Sequence, residues 1–199
     1  GFDVTGYEYE RMKVGAKIEA DFYSGVDGVT GTAQFRLRQA YMTLGWTGEE
    51  GKSTTLKIGQ AWHTMAADMP DVISLNTGAP FGPFSRTPIA QLAHWFNGNF
   101  GFTASAIWQM QYTSAGPNGA KADYQKYSAV PELYFGLNYK TKDFLVRGGV
   151  DVLNISPDKD GKLFTTVTPF FYAQYKKDNF VAKFKTVYAQ AGEHVNLNG

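Results

Sequence analysis

The 199-residue chain contains no cysteine, which sets aside disulfide scaffolds and thiolate metal centres. It also lacks any unbroken apolar run near the roughly 18 residues that a membrane-spanning helix needs. Histidine is confined to His63, His94 and His194, and none stands in a metal-ligand spacing. No GxSxG, HExxH, P-loop or dinucleotide fingerprint occurs, so no catalytic residue, cofactor or metal is assigned and the chain is not read as an enzyme. Net charge is only +1, and no basic cluster coincides with a DNA- or RNA-binding motif, which sets nucleic acid aside.

What the chain does have is aromatics and glycine: 16% Phe, Trp and Tyr, with 22 glycines. That mixture suits β-structure with many tight turns. Met12 to Tyr23 alternates without error, with Met12, Val14, Ala16, Ile18, Ala20 and Phe22 on one face and Lys13, Lys17, Glu19 and Asp21 on the other. Such a period of two is a strand with two unlike faces. The dyad returns in 100–112, 132–139, 144–152 and 180–188, and more weakly in 34–46, 54–63, 89–96 and 165–175. The total is about nine strands, each near the length that crosses a membrane when tilted.

Connections alternate in length. The long ones are 24–32, 64–88, 113–129 and 156–162; the short ones are 47–52, 97–99, 141–143 and 176–179. Long loops at one end and short turns at the other mark an all-β, antiparallel up-and-down transmembrane β-barrel. Three short turns are flanked by aromatics five positions apart, at Trp95/Phe100, Tyr139/Phe144 and Tyr175/Phe180. If each turn is a two-residue hairpin, as Asn97-Gly98 suggests, these pairs face outward as neighbours in an aromatic girdle. A soluble sandwich or lipocalin-like barrel also alternates, but does not call for aromatic pairs at one end only. Residues 1–199 read as one domain. The polar stretch 193–198 contrasts with the apolar, aromatic-ended strand on which such barrels finish, so further strands are expected.

The face opposite the aromatics is the expected lumen. Its basic residues are Lys13, Lys17, Arg36, Arg38, Lys57, Arg147, Lys183 and Lys185, and its acids Glu19, Asp21, Glu132 and Asp151. Excess positive charge in an aqueous channel raises the local anion concentration, so mild anion selectivity is expected. One register of the first two strands sets Asp21 opposite Arg36 and Glu19 opposite Arg38, which would make these four a wall-stiffening set of ion pairs as readily as a solute contact. His63 falls near the outer mouth as a pore-wall group. The connection 64–88 carries Met69, Val72, Ile73, Leu75 and Phe81 among prolines and glycines; it is too apolar for a free surface loop and is the candidate constriction, with the covering of a neighbouring subunit as its alternative. Gln39, Gln60 and Gln91 fall outward when phased by Tyr41, Ile58 and Trp95. An amide in hydrocarbon is costly, so a subunit interface, a trimer first, is expected there unless a bulge turns one inward.

The segments KIEADFYSG, FRLRQAYMTL, LKIGQAWHTM and DMPDVISLNTGAPFGPFSRTPIAQL together resemble the DcaP-type outer-membrane porins. The likeness is best over 17–92, with a weaker echo in YAQAGEHVNL. It implies a trimeric barrel of roughly 16 strands in a Gram-negative outer membrane, in contact with lipid and passing small, often anionic solutes. By the same likeness Arg36 and Arg38 match a basic strand, Gln60 and Trp62 the strand before the long loop, and Asp68, Pro70, Arg86 and Pro88 the loop itself. About nine strands cannot close a wall of that size. Two other functions stand beside passive diffusion: a structural or assembly subunit of a larger outer-membrane complex, and a soluble ligand-binding β-barrel.

Overall fold

Runs of alternating residues separated by glycine- and polar-rich breaks fold as strands that pair with their sequence neighbours. The computed structural model describes residues 1–23, 33–66 and 82–197. In chain order the strands are β1 (Phe2–Tyr9), β2 (Met12–Tyr23), β3 (Gln34–Thr47), β4 (Ser53–Trp62), β5 (Arg86–Trp95), β6 (Phe100–Ile107), β7 (Ala115–Gly116), β8 (Gly119–Ala120), β9 (Glu132–Lys140), β10 (Phe144–Ile155), β11 (Phe164–Lys177) and β12 (Phe180–Val187). β7 and β8 form a small separate hairpin, followed by the single-turn helix α1 (Asp123–Ser128). The other ten strands make one antiparallel sheet in the order β1-β2-β3-β4-β5-β6-β9-β10-β11-β12. Every hairpin neighbour is a sheet neighbour, which is the up-and-down arrangement expected. Among the described residues β1 and β12 do not pair, so the wall is open.

The two faces are the reverse of a soluble sheet. Along β9, Leu133, Phe135, Leu137 and Tyr139 are exposed, whereas Glu132, Tyr134, Gly136 and Asn138 are buried. The neighbouring strands agree: Leu92, Val150 and Phe171 lie exposed, while Ser105, Asp151 and Thr168 lie covered. Water would penalise so wide an apolar surface; a lipid environment would not.

The covered polar face curls around chain segments that fold back onto it. Thr64 Oγ1 lies 2.7 Å from Ser105 Oγ on β6, and Lys185 Nζ on β12 donates to Met65 O at 2.7 Å. β6 and β12 are four places apart in the sheet, so one short segment reaches both only because the sheet is concave. Met65, Ile89, Tyr134, Phe170, Tyr172 and Val195 form the packed cluster there, and Phe84 N donates to Val195 O at 2.8 Å.

Several expectations need correcting. β1 was not anticipated; a register shift between Val4 and Tyr7, with Gly6 at φ +92°, breaks its alternation. β6 ends at Ile107 rather than continuing to 112, and β5 begins at Arg86, its Pro88 opposite Gln60. The turn after β5 holds three residues, with Phe96 N donating to Phe100 O, and one residue more than a two-residue hairpin flips the face of everything phased from it. Trp95 therefore lies on the inner face, its ring against Gly101, and does not join Phe100 outside. The outward rings pair across neighbouring hairpins instead: Phe100 with Tyr139 at 4.7 Å and Phe144 with Tyr175 at 4.8 Å, while Tyr175 and Phe180 stand 6.1 Å apart.

Candidate functional site: an arginine-lined cavity on the concave face

A cavity of about 600 Å³ opens on the concave face, lined by Tyr23, Arg36, Arg38, Trp62, Phe84, Arg86, Gln111 and Tyr112. Its basic wall depends on a bulge in β3. Glu19 pairs with Gln39 but Ala20 pairs with Leu37, which leaves Arg38 as the extra residue. A bulge of this kind puts consecutive side chains on one side. Arg38 binds Glu19 and also Asp21, the latter at 2.7 Å, while Gln39 Nε2 donates to Glu19 Oε2 at 2.7 Å. Arg36 grips Asp21 with two bonds of 2.6 and 2.8 Å and lies 4.8 Å from the Tyr23 ring. The register of Asp21 opposite Arg36 is the one expected from sequence.

Arg86 differs in kind. It is 4% exposed, and its guanidinium lies 4.0 Å over the Trp62 ring and 5.4 Å from Phe84. Trp62 and Arg86 are register partners across β4 and β5, so the stack follows from strand pairing. Arg86 N donates to Gln111 Oε1 at 2.8 Å, but Nε has no hydrogen-bond partner, and among the described residues no ion pair to Arg86 occurs. Among the described residues the cavity thus sets three guanidinium groups against two carboxylates, an excess of one positive charge held between aromatic rings.

The other basic residues lie elsewhere on the same face. Lys17 pairs with Asp3 at 3.2 Å, Lys57 sits 5.2 Å over the Tyr41 ring, and Arg147, Lys183 and Lys185 stand on β10 and β12 opposite Tyr172, Gln174 and Tyr172 respectively. Lys13 is exposed near the β1 edge with Glu8 at 3.1 Å. His63 is not a wall group facing the cavity. It is 1% exposed, and its Nε2 lies 2.7 Å from Glu132 Oε1, which His194 Nε2 also approaches at 2.9 Å. Glu132 is likewise enclosed rather than facing an aqueous lumen.

Two of the three glutamines lie on the polar face, and the amide of the third is satisfied by backbone. The β3 bulge turns Gln39 inward to Glu19, which is the alternative foreseen. Gln60 donates to Leu37 O and Arg38 O at 3.0 and 3.1 Å, serving carbonyls beside that bulge. Gln91 sits opposite Lys57 and Ser105 on the polar face; it had been phased by Trp95 and shares that residue's error. Of the connection 64–88, Thr64, Met65 and Phe84 pack against the concave face and residues 86–88 already belong to β5, while Met69, Val72, Ile73, Leu75, Phe81, Asp68 and Pro70 fall outside the described residues.

Sequence reasoning missed Phe84, Gln111 and Tyr112 as cavity walls and missed the convergence of His63, Glu132 and His194. The first set lies just outside strand boundaries, Phe84 before β5 and Gln111 and Tyr112 after β6, whose positions no periodicity fixes. The second spans separations of 69 and 62 residues, beyond any local spacing rule.

A long-stranded, up-and-down antiparallel wall, apolar outside and polar within, has the architecture of an outer-membrane channel. It is similar to the crystal structure of the outer membrane channel DcaP of Acinetobacter baumannii, with a TM-score of 0.67 and 20% identity over 93% of this chain and 50% of that one. The chain thus spans about half the length of the channel it matches. No family model and no curated protein matches the sequence.

Proposed function

We propose that the chain is part of the wall of an outer-membrane porin through which small hydrophilic solutes diffuse passively, with anions preferred, and that no chemical step occurs. The observation that carries this reading is the inverted sheet. An exposed apolar face suits hydrocarbon, and the polar face encloses a cavity in which, among the described residues, one guanidinium is in excess of the carboxylates. Excess positive charge in a low-dielectric passage attracts anions and lowers their barrier. The aromatics around Arg86 give a permeating anion an apolar surface beside its charge partner. The packing of Thr64 and Met65 against β6 and β12 on the concave face supports a constriction formed by the connection 64–88. A Gram-negative outer membrane as the location and three copies side by side as the assembly belong to the same proposal, supported by the resemblance rather than by the glutamines.

Reconstitution in a planar bilayer under a KCl gradient tests it. The expected result is a stable conductance whose reversal potential has the sign of anion preference, moved toward zero by Arg86→Gln. Clear cation preference would overturn the selectivity; absence of any conductance from membrane-inserted protein would favour a structural wall.

A further inference from the structure

We propose that His63, Glu132 and His194, backed by Asp151, form a binding site for a divalent transition-metal ion of the zinc type. The two histidine Nε2 atoms point at one oxygen, Glu132 Oε1, from 2.7 and 2.9 Å. The candidate ligand atoms of the three residues all lie within 4.8 Å of one another. The rings stand edge to face, with centroids 6.1 Å apart and planes at 72°, so they converge without stacking. His63, Glu132, His194 and Asp151 are 1%, 0%, 3% and 1% exposed.

Charge adds to the geometry. Among the described residues the Asp151 carboxyl meets the Glu132 carboxyl, to which it can hydrogen-bond when it holds a proton, and no other donor or acceptor reaches its oxygens, Glu132 Oε2 or His194 Nδ1. Two buried carboxyl groups against each other, with no Lys or Arg bonded to either among the described residues, either share a proton beside a charged imidazole or hold a cation. A divalent ion cancels both charges and leaves the imidazoles neutral, the state in which they ligate. Two imidazole nitrogens with carboxylate oxygens suit zinc, cobalt or nickel, whereas calcium and magnesium favour oxygen alone.

The ligands come from four parts of the chain: the residue after β4, the start of β9, the middle of β10 and the turn at Glu193–Val195. A bound ion would therefore fasten the first residues of the long connection, and the segment near the end of the chain, to the wall. Loading requires two adjustments. Tetrahedral ligands about 2.0–2.1 Å from zinc lie roughly 3.3 Å apart, so the present N···O separations open slightly. Met65 N, which donates to His63 Nδ1 at 3.2 Å, releases that nitrogen to carry the proton that a ligating histidine keeps on its other side.

The test uses the whole chain in detergent, stripped with a chelator and titrated with CoCl2 and with ZnCl2. One ion per chain is expected, with the intense visible bands of tetrahedral cobalt, and zinc displacing cobalt. The double substitution His63→Ala with His194→Ala should weaken binding at least 100-fold, Glu132→Gln at least tenfold, and His94→Ala not at all, because His94 Nδ1 lies 2.9 Å from Thr54 Oγ1, away from the cluster. Where the double variant does not fold, the wild-type spectrum decides alone. A six-coordinate, water-like cobalt spectrum, no stoichiometric uptake, or binding unchanged in a folded double variant would each overturn the site. None of these outcomes bears on conductance.

Discussion

Arg38 and Gln39 are consecutive in a strand, yet both side chains reach Glu19. Strict alternation would send one of them outward, and reading the sequence that way put Gln39 in hydrocarbon. The device that resolves this lies partly on the next strand. Gly59 of β4 adopts φ +132°, and a Cβ there would collide with Ala40 O and come within 2.7 Å of Tyr41 Cα. The following residue, Gln60, then turns its amide to Leu37 O and Arg38 O. Glycine is required at 59 because only it combines that φ with so close a strand. Gly59→Ala is expected to destabilise the folded wall by about 1–3 kcal/mol and to loosen the Arg38–Glu19 pair, measured as a lower urea midpoint for unfolding from detergent micelles. An unchanged midpoint would mean that the bulge does not depend on this glycine.

At the scale of elements, most strands were legible because each carries its own period-two signal. β2, β9, β10 and β12 lie close to where alternation places them. The failures have one physical source, which is that a phase is known only relative to a turn. At Trp95 a three-residue turn stood where two residues had been assumed, so Trp95 and Gln91 exchanged faces while the strand itself survived. β1 was missed because its bulge interrupts the pattern within eight residues. The outward ring pairs, by contrast, depend on registers that the structure supplies directly: Phe144 is opposite Tyr175 and Phe100 opposite Tyr139. Aromatic pairs at this separation contribute about 0.5–1.5 kcal/mol beyond buried area. A double-mutant cycle on Phe144→Leu and Tyr175→Leu should return a coupling in that range, read from unfolding in lipid vesicles. A coupling indistinguishable from zero would show that the two rings only share a lipid boundary.

For the molecule as a whole, the decisive property is which face meets the surroundings, and neighbouring residues at one depth can interrogate it. Leu92 and Gln91 are adjacent on β5, opposite Leu56 and Lys57 respectively. Leu92 belongs to the exposed apolar face, with Ala90, Ala104 and Phe135 around it, and Gln91 to the concave face beside Ser105. The basic cavity was legible in outline from the sequence, since the pairing of Asp21 with Arg36 needs only β2 and β3. The Trp62–Arg86 stack needed the exact start and register of β5, and the His63–Glu132–His194 cluster needed the folding of distant segments onto one face. The same geometry assigns opposite environments to positions 91 and 92, and an arginine placed at each separates them. Facing lipid, Leu92→Arg should cost about 2–4 kcal/mol near the bilayer midplane. Gln91→Arg faces the polar interior and should cost far less, its penalty coming only from added repulsion with Lys57. The measurement is folding free energy from urea titrations in vesicles, followed by tryptophan emission. A water-exposed outer face predicts the reverse order, with Leu92→Arg nearly neutral because its guanidinium would enter solvent. That reversal would remove the membrane reading along with the pore built on it.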